Sequence, residues 1–207
     1  MTEEQAVYIV DDDEDVREGF GLLMETVGQR YDVYSSAIEF LDAFQAEMRG
    51  CLVLDIRMPR MSGLDLQQKL NEKGSLLPII FITGHGDIPM AVEAMRRGAL
   101  DFVRKPFREQ NLLDRINEAL DLEAGKRKDR QDRQQVLERI RSLSDREREV
   151  LELVALGKMN KVVASDLGIS ERTVEVHRSH LMQKLDVQTL AQLVRVKIEA
   201  ESLADSE

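Results

Sequence analysis

The sequence lacks the features on which secreted and membrane-spanning proteins depend. A lone cysteine, Cys51, excludes an intrachain disulfide, and its position in the apolar run 51–54 predicts a buried strand residue. The longest apolar stretches, such as 76–82, are far shorter than the ~20 residues of a transmembrane helix. Residues 1–4 are acidic where a signal peptide is basic. We therefore expect a cytoplasmic protein that has no membrane partner.

An excess of positive charge is also absent, and the shortage is local. The chain has 207 residues and a net charge of -10. Residues 1–120 carry 13 Lys and Arg against 22 Asp and Glu, whereas residues 142–200 carry 9 of each. An acidic protein binds nucleic acid poorly through its overall field. Any DNA contact must therefore come from a local basic surface in the second half, and we expect a dimer to make it.

The first half contains short apolar runs that alternate with helix-like segments. The runs are rich in β-branched and aromatic residues and cover 7–10, 31–34, 51–54, 78–82 and 101–103. Five runs separated by helices predict a parallel sheet, and the alternating second run is typical of an edge strand. We predict a doubly wound α/β, flavodoxin-like sheet with the strand order 2-1-3-4-5.

The pattern changes after the fifth run. A helix begins near Glu109, but its apolar stripe disappears after Leu122, and 125–133 is almost entirely Lys, Arg, Asp and Gln. Such a segment buries no core, so we predict a first domain over 1–122 and a charged helical linker over 123–141.

From Ser144 onward the pattern is helical throughout. Ser144 and Glu147 form a capping box, and the helix that they open ends at Gly157. Two short helices joined through 164–170 form a helix-turn-helix pattern, whose second helix begins at Glu171. We predict an all-α domain of four helices over 142–200, followed by a flexible tail over 201–207.

Polar side chains stand where the predicted strands of the first half end. They are Asp11 and Asp12, then Asp55, then Thr83, then Lys105 with Pro106. Ligands of open α/β sheets bind outside the carboxyl ends of the strands, so we expect these groups to converge. Close carboxylates repel one another unless a cation lies among them. Hard oxygen ligands without a nearby His or Cys favour Mg²⁺, or Mn²⁺.

Such a group of side chains suits phosphoryl transfer to a carboxylate. No residue nearby is an obvious base that would activate water quickly, which favours a lasting acyl phosphate. The predicted roles are phosphate acceptor for Asp55, metal ligand for Asp11, Asp12, Asp55 and the backbone carbonyl of Arg57, and partner of the phosphoryl oxygens for Lys105 and Thr83.

Four stretches of the first half are distinctive: Val-Asp-Asp-Asp at 10–13, Leu-Asp-Ile-Arg-Met-Pro at 54–59 with Ser-Gly at 62–63, Ile-Thr-Gly at 82–84 and Lys-Pro-Phe at 105–107. Together they resemble the receiver domain of two-component response regulators. The resemblance implies that a sensor histidine kinase phosphorylates Asp55 and that the peptide bond between Lys105 and Pro106 is cis. It also implies that Phe102 is an aromatic switch residue, which turns inward as Thr83 moves to the phosphate.

The second half has its own distinctive stretches, at 143–151, 157, 160–161, 164, 167–170, 173–178 and 184–185. They resemble the LuxR-type helix-turn-helix domain, so the whole chain resembles regulators of the NarL/FixJ type. The resemblance implies that the helix from Glu171 enters the major groove of DNA. The implied contacts are Glu175, Val176 and Ser179 to base edges, and Lys161, Thr173, Arg178 and Lys184 mainly to phosphates.

Glu175 departs from the pattern, because many members of that family have Lys at this position. A carboxylate in the groove can accept a hydrogen bond from cytosine N4 but loses attraction to phosphate. The alternative is that Glu175 pairs with Arg172 or Arg178 on the helix surface.

These observations predict a phosphorylation-dependent transcription regulator, an activator, which is not an enzyme. Phosphorylated chains would form a homodimer through Val92, Met95 and Arg96, bind duplex promoter DNA and contact RNA polymerase. One alternative is a Mg²⁺-dependent aspartyl-phosphate phosphatase, since Asp11-x-Asp13 resembles the paired aspartates of haloacid-dehalogenase-type phosphatases. Another is a receiver whose helical domain binds RNA or protein instead of duplex DNA.

Overall fold

A computed structural model describes residues 5–84 and 88–204 of the chain. Two compact units divide it, Met1–Arg127 (the first unit) and Lys128–Glu207 (the second unit). The acidic residues 1–4 and the last three residues of the predicted tail, 205–207, lie outside the described residues. Within the described ranges, every helix is too short or too polar to cross a membrane.

A five-stranded parallel sheet forms the centre of the first unit. Its strands are β1 (Ala6–Val10), β2 (Tyr31–Tyr34), β3 (Gly50–Asp55), β4 (Ile79–Thr83) and β5 (Asp101–Arg104). They lie side by side in the order β2-β1-β3-β4-β5, which confirms the predicted order and the edge position of the second strand. Cys51 is fully buried in β3, where burial raises the pKa of its thiol to about 12.

Helices cover both faces of this sheet. They are α1 (Glu14–Thr26), α2 (Ala37–Ala43), α3 (Gly63–Glu72), α4 (Ile88–Arg96) and α5 (Glu109–Arg141). Successive strand residues point to opposite faces, so Phe81 packs in one apolar cluster with Leu66 of α3, and Ile80 packs in the other with Leu112 of α5. The sheet is thereby sandwiched between two helical layers, as a doubly wound fold requires.

Helix α5 packs on the first unit beyond the predicted domain end at 122. Glu123 continues its apolar stripe and is fully buried, although it is charged. Its carboxylate accepts hydrogen bonds from Gln5 at 2.7 Å and from Arg127 Nε at 2.6 Å, and Arg49 Nε lies 3.8 Å away. Arg127 also donates to the carbonyl of Met48. Paired charges thus replace apolar contacts along the last turn of this packing. The first unit extends to Arg127, whereas the predicted first domain covers 1–122.

The second unit contains the end of α5 and four further helices within the described residues. They are α6 (Asp145–Ala155), α7 (Asn160–Leu167), α8 (Glu171–Lys184) and α9 (Leu190–Ala204). The predicted capping box of Ser144 and Glu147 opens α6. Gly168, in the left-handed conformation, ends α7 before Ser170 caps α8. Residues 201–204, at the start of the predicted tail, belong to α9.

Candidate functional site

The register of the sheet brings the predicted polar residues of the first unit together. Val10 lies opposite Leu54 in the β1–β3 pair, so Asp11 and Asp55 leave the sheet as neighbours. Lys105 follows the last residue of β5, which pairs with the last residue of β4. Its Nζ lies 3.0 Å from Oδ2 of Asp11 and 3.4 Å from Oδ1 of Asp55. One ammonium therefore joins two carboxylates from different strands.

The carboxylate of Asp55 is strained electrostatically. Burial, which is the larger cause, and repulsion from Asp11 raise the pKa of Asp55 to about 6. The Arg57 N–H, which donates to Asp55 at 2.6 Å, and Lys105 both lower this pKa, but by less. Burial disfavours the charged form of Lys105 as well, but its bonds to Asp11 and Asp55 outweigh this and raise the pKa of Lys105. The pocket thus holds more negative charge than its single lysine neutralises.

Within the described residues, the side chains of Asp12, Thr83 and Phe102 make no hydrogen bond to Asp11, Asp55 or Lys105, although the backbone N–H of Lys105 donates to the Thr83 carbonyl at 2.7 Å. Asp12 is exposed, and within the described ranges no three acidic, His or Cys side chains lie close enough to hold a metal ion. The Thr83 hydroxyl is buried and donates to the Gly84 carbonyl at 3.0 Å. Phe102 is 41% exposed, so its ring lies outside the core. The peptide bond between Lys105 and Pro106 is cis, as the resemblance implied.

The proposed dimer residues lie on α4. Val92 is 46% exposed and Met95 is 40% exposed, and Arg96 is exposed beside them. Helix α4 and strand β5 therefore leave apolar side chains on the surface of the first unit, including the ring of Phe102.

In the second unit, α8 presents one face to solvent and packs the other in the core. Val174 and Leu181 are fully buried, whereas Glu175, Val176 and Ser179 are exposed. Within the described part of the chain, no ion pair joins Glu175 to Arg172 or Arg178. The alternative in which Glu175 pairs on the helix surface is therefore not what the structure shows.

The residues predicted to contact phosphates differ in their surroundings. Lys161 is exposed at the start of α7, and Thr173 lies in the first turn of α8, where its N–H donates to Ser170. Arg178 donates to the side chain of Asn160 at 2.9 Å. Lys184 differs most from the prediction, because its Nζ lies 2.7 Å from Oε2 of Glu147. Its ammonium is bonded inside the second unit.

Comparisons with known proteins agree with both parts of this geometry. The model of the response regulator receiver domain matches residues 7–117. The model of the bacterial regulatory proteins of the luxR family matches residues 141–197. The chain belongs to the NarL/FixJ-type response regulators.

Full-length relatives support the assignment of this response regulator. It is 48% identical to the response regulator protein TmoT of Ectopseudomonas mendocina, in a match that covers 99% of this chain and 91% of TmoT. It is 44% identical to the transcriptional regulatory protein FixJ of Azorhizobium caulinodans, over 96% of this chain and 94% of FixJ. The solved structure of the response regulator StyR matches with a TM-score of 0.90 and 47% identity, over 95% of this chain and 99% of StyR.

The response regulator is therefore a two-component transcription factor with a LuxR-type DNA-binding domain, and it is not an enzyme. The phosphatase alternative is wrong. The alternative of a helical domain that binds only RNA or protein is wrong as well, because the second unit carries the LuxR-type domain.

Two residues of the response regulator's pocket were not found from the sequence. Arg17 of α1 donates to the backbone carbonyl of Asp11 at 2.7 Å and holds the end of β1. Gly63 packs so closely that a side-chain carbon there would lie 2.3 Å from the carbonyl oxygen of Asp55. Gly63 lies within a matching stretch, but only the close approach of the start of α3 to the end of β3 reveals its role. No signal in the sequence pointed to Arg17.

The Glu147 ion pair predicts how the stability of the second unit depends on pH. Burial disfavours ionisation of Glu147, but its bonds to Lys184 and Ser144 outweigh this and lower its pKa from 4.5 to about 2. A lowered folded-state pKa stabilises the fold above the unfolded value and loses that stabilisation as the pH falls. We expect urea unfolding of the second unit to become easier between pH 4.5 and about 2. Glu147→Gln should weaken this dependence, and Glu149→Gln should retain it.

Proposed function

We propose that a sensor histidine kinase transfers a phosphoryl group to Asp55. The observation that carries this proposal is the position of the Asp55 carboxylate, at the end of β3, 3.4 Å from Lys105 and next to Asp11. The Asp55 side chain is 13% exposed, so a small part of it is accessible from solvent. In this proposal the Lys105 ammonium, which now bonds to the two carboxylates, would bond to the oxygens of the phosphoryl group instead.

Receiver domains typically use Mg²⁺, and the donor set of this pocket fits that ion. Two carboxylates lie together with one lysine, and burial, together with repulsion from Asp11, raises the pKa of Asp55. We propose that Asp11, Asp12, Asp55 and the backbone carbonyl of Arg57 hold Mg²⁺ or Mn²⁺. The bound ion would neutralise charge that develops on the phosphoryl oxygens. The exposed Asp12 side chain would have to join the other two.

Binding of Mg²⁺ should be measurable without any phosphate. Millimolar MgCl₂ is expected to raise the Tm of the first unit by roughly 2–4 °C, because the ion relieves repulsion between Asp11 and Asp55. Lys105→Met should enlarge this shift, since Lys105 occupies the same carboxylates. Differential scanning calorimetry against KCl of equal ionic strength, with Asp42→Asn as a surface control, measures the effect. An equal shift in Asp11→Asn would contradict the proposed ligands.

We further propose a switch that begins at Thr83. Its hydroxyl would leave the Gly84 carbonyl for the phosphoryl group, and the exposed ring of Phe102 would fill the space that opens. The surface of α4 and β5 would change with it. Two phosphorylated chains would then pair through Val92, Met95 and Arg96. Dimerisation would raise DNA affinity, because two half-site contacts combine through effective concentration.

In the second unit, α8 is the proposed DNA-reading helix. The exposed Glu175, Val176 and Ser179 would face base edges, and Glu175, which has a carboxylate free of the neighbouring arginines, would accept from cytosine. The proposed phosphate contacts are Lys161, Thr173 and Arg178. For Lys184 the bond to Glu147 supports a different role. We propose that the dimer activates transcription in the cytoplasm through contact with RNA polymerase.

The test is to compare phosphorylated and unphosphorylated protein with fragmented genomic duplex. Treatment with acetyl phosphate should leave a stoichiometric, acid-stable and base-labile label, shift the mass in solution from monomer to dimer, and increase the retention of a small set of fragments. Phosphorylated protein that stays monomeric at micromolar concentration yet binds those fragments tightly would contradict the dimer. A label without any retained fragment would contradict the phosphorylation-controlled DNA binding.

A further inference from the structure

The C-terminal end of α8 is bonded to the segment in which α5 ends and α6 begins. Lys184 Nζ lies 2.7 Å from Oε2 of Glu147 and 3.1 Å from the carbonyl oxygen of Ser142. One guanidinium nitrogen of Arg139 lies 3.4 Å from the carbonyl oxygen of Leu185. Lys184 of α8 and Arg139 of α5 thus both connect the end of α8 to the segment between α5 and α6.

Glu147 connects two helix ends with one carboxylate. As the third residue (N3) of α6, Glu147 accepts the N–H of the N-cap residue Ser144 at 2.8 Å, and it also accepts from Lys184 at the end of α8. Its side chain is 5% exposed. A buried carboxylate that lost its cation would remain charged and unpaired, so the pair holds both helix ends in register.

The core beneath this pair is also part of the arrangement. Leu181 and Leu185 are fully buried, and they fix the inner face of α8 near its end. The other end of α8 is held by Ser170, which caps it, while Arg178 bonds to Asn160 of α7. Polar contacts therefore fix α8 at both ends while its outer face stays open.

Lys184 is occupied by these contacts. A lysine ammonium has three donors, and two of them are used by Glu147 and Ser142. Contact with a DNA phosphate would compete with a short, charge-assisted bond to a largely buried carboxylate. The side chain is therefore better placed to hold the helix than to meet the backbone of DNA.

We propose that Glu147 and Lys184 are positioning residues, which fix the angle at which α8 presents Glu175, Val176 and Ser179 to the bases. The inference rests on the proposed DNA-reading role of α8. Base contacts depend on this angle, whereas attraction to phosphates depends mainly on the number of charges. Loss of the pair should therefore reduce sequence-specific binding and spare non-specific binding.

Glu147→Gln distinguishes a positioning role from a purely electrostatic one, because the two predict changes of opposite sign in the affinity for the specific duplex. If only charge mattered, removal of a carboxylate and release of Lys184 would strengthen binding to any duplex. Positioning predicts about tenfold weaker binding to the specific duplex, a loss equal to about 1.4 kcal/mol, with little change on random duplex. A capping box also accepts Gln at the third residue of the helix (N3), so α6 should still form.

The control is Glu149→Gln. Glu149 lies two positions after Glu147 and forms a solvent-exposed ion pair with Arg146, so this variant removes the same charge at the surface. The probes are the genomic duplex that phosphorylated wild-type protein retains best and a random-sequence duplex of equal length. Both are titrated with full-length phosphorylated protein at several salt concentrations. Glu149→Gln is expected to bind both probes at least as tightly as the wild type.

Lys184→Met provides an independent measurement, and Lys184→Arg should rescue it because Arg can still donate to Glu147. Positioning predicts that Lys184→Met loses specific binding with an unchanged slope of affinity against salt. A uniform loss on both duplexes, with the slope reduced by about 1, would overturn the proposal in favour of a phosphate contact. Glu147→Gln that binds as tightly as Glu149→Gln would also overturn it. Wild-type protein that retains no duplex would instead refute the proposed function of α8.

Discussion

Replacement of Asp55 by Asn is expected to abolish the acid-stable, base-labile label and every response that depends on it. An amide cannot form the acyl phosphate, yet it is similar in size to the carboxylate, so the Arg57 N–H retains an acceptor. The variant should remain monomeric with acetyl phosphate and bind genomic fragments only as weakly as unphosphorylated protein. Autoradiography, light scattering and fragment retention measure the three effects separately.

The same substitution should make the first unit more stable in buffer without Mg²⁺. At neutral pH the carboxylate is ionised although burial and Asp11 disfavour that form, as its raised pKa of about 6 indicates. A folded-state pKa above the unfolded value means that ionisation at higher pH costs stability. A higher Tm together with a lost label would show an intact fold that cannot be switched. Asp42→Asn should change neither quantity, and a full label on Asp55→Asn would place the acceptor elsewhere.

Gly50→Ala is expected to have the largest effect on stability. Gly50 opens β3 at φ 127°, a conformation that L side chains rarely adopt, and a side-chain carbon there would lie 1.8 Å from the carbonyl oxygen of Ala6. That oxygen belongs to β1, which pairs with β3 in the centre of the sheet. The strand cannot yield without breaking the pairing. We expect the first unit to lose at least about 3 kcal/mol in free energy of unfolding.

Gly19→Ala is the matched control for this substitution. Gly19 lies inside α1. Apart from its chain neighbours and the backbone of its own helix, no atom of the described residues lies within 4 Å of the position that its side-chain carbon would take. Alanine there should stabilise the helix by roughly 0.5–1 kcal/mol. Calorimetry should show the first transition moving down in Gly50→Ala and up in Gly19→Ala, with the transition of the second unit unchanged. A small effect in Gly50→Ala would mean that β1 and β3 can separate at low cost.

The pocket was predictable because it depends on the order of the strands more than on contacts between individual side chains. In a parallel sheet the ends of neighbouring strands meet, so Asp11 and Asp55 had to come together once the runs were recognised as strands. Caps such as Ser144 were predictable for a similar reason, since they act over three residues of sequence.

What could not be predicted depends on long side chains that meet across the fold. Glu123 appears in the sequence as the first charge of a solvated linker. Its i,i+4 spacing to Arg127 is visible there, but its contacts with Gln5 and Arg49 are not. Lys184 appears as a phosphate contact, because its partner Glu147 lies far away in sequence. In both cases a charge was assigned to solvent or to DNA, while the fold had provided it with a partner.

The packing of Glu123 affects where the first unit of this chain can be joined to another output domain. A gene fusion that joined the first 122 residues to another output domain would remove a carboxylate that Gln5, Arg49 and Arg127 surround, and would remove Arg127 as well. The inherited sheet would then lose the ion pair between Arg49 and Glu123 at the start of its central strand. A fusion made after Arg127, where the first unit ends, would retain these contacts.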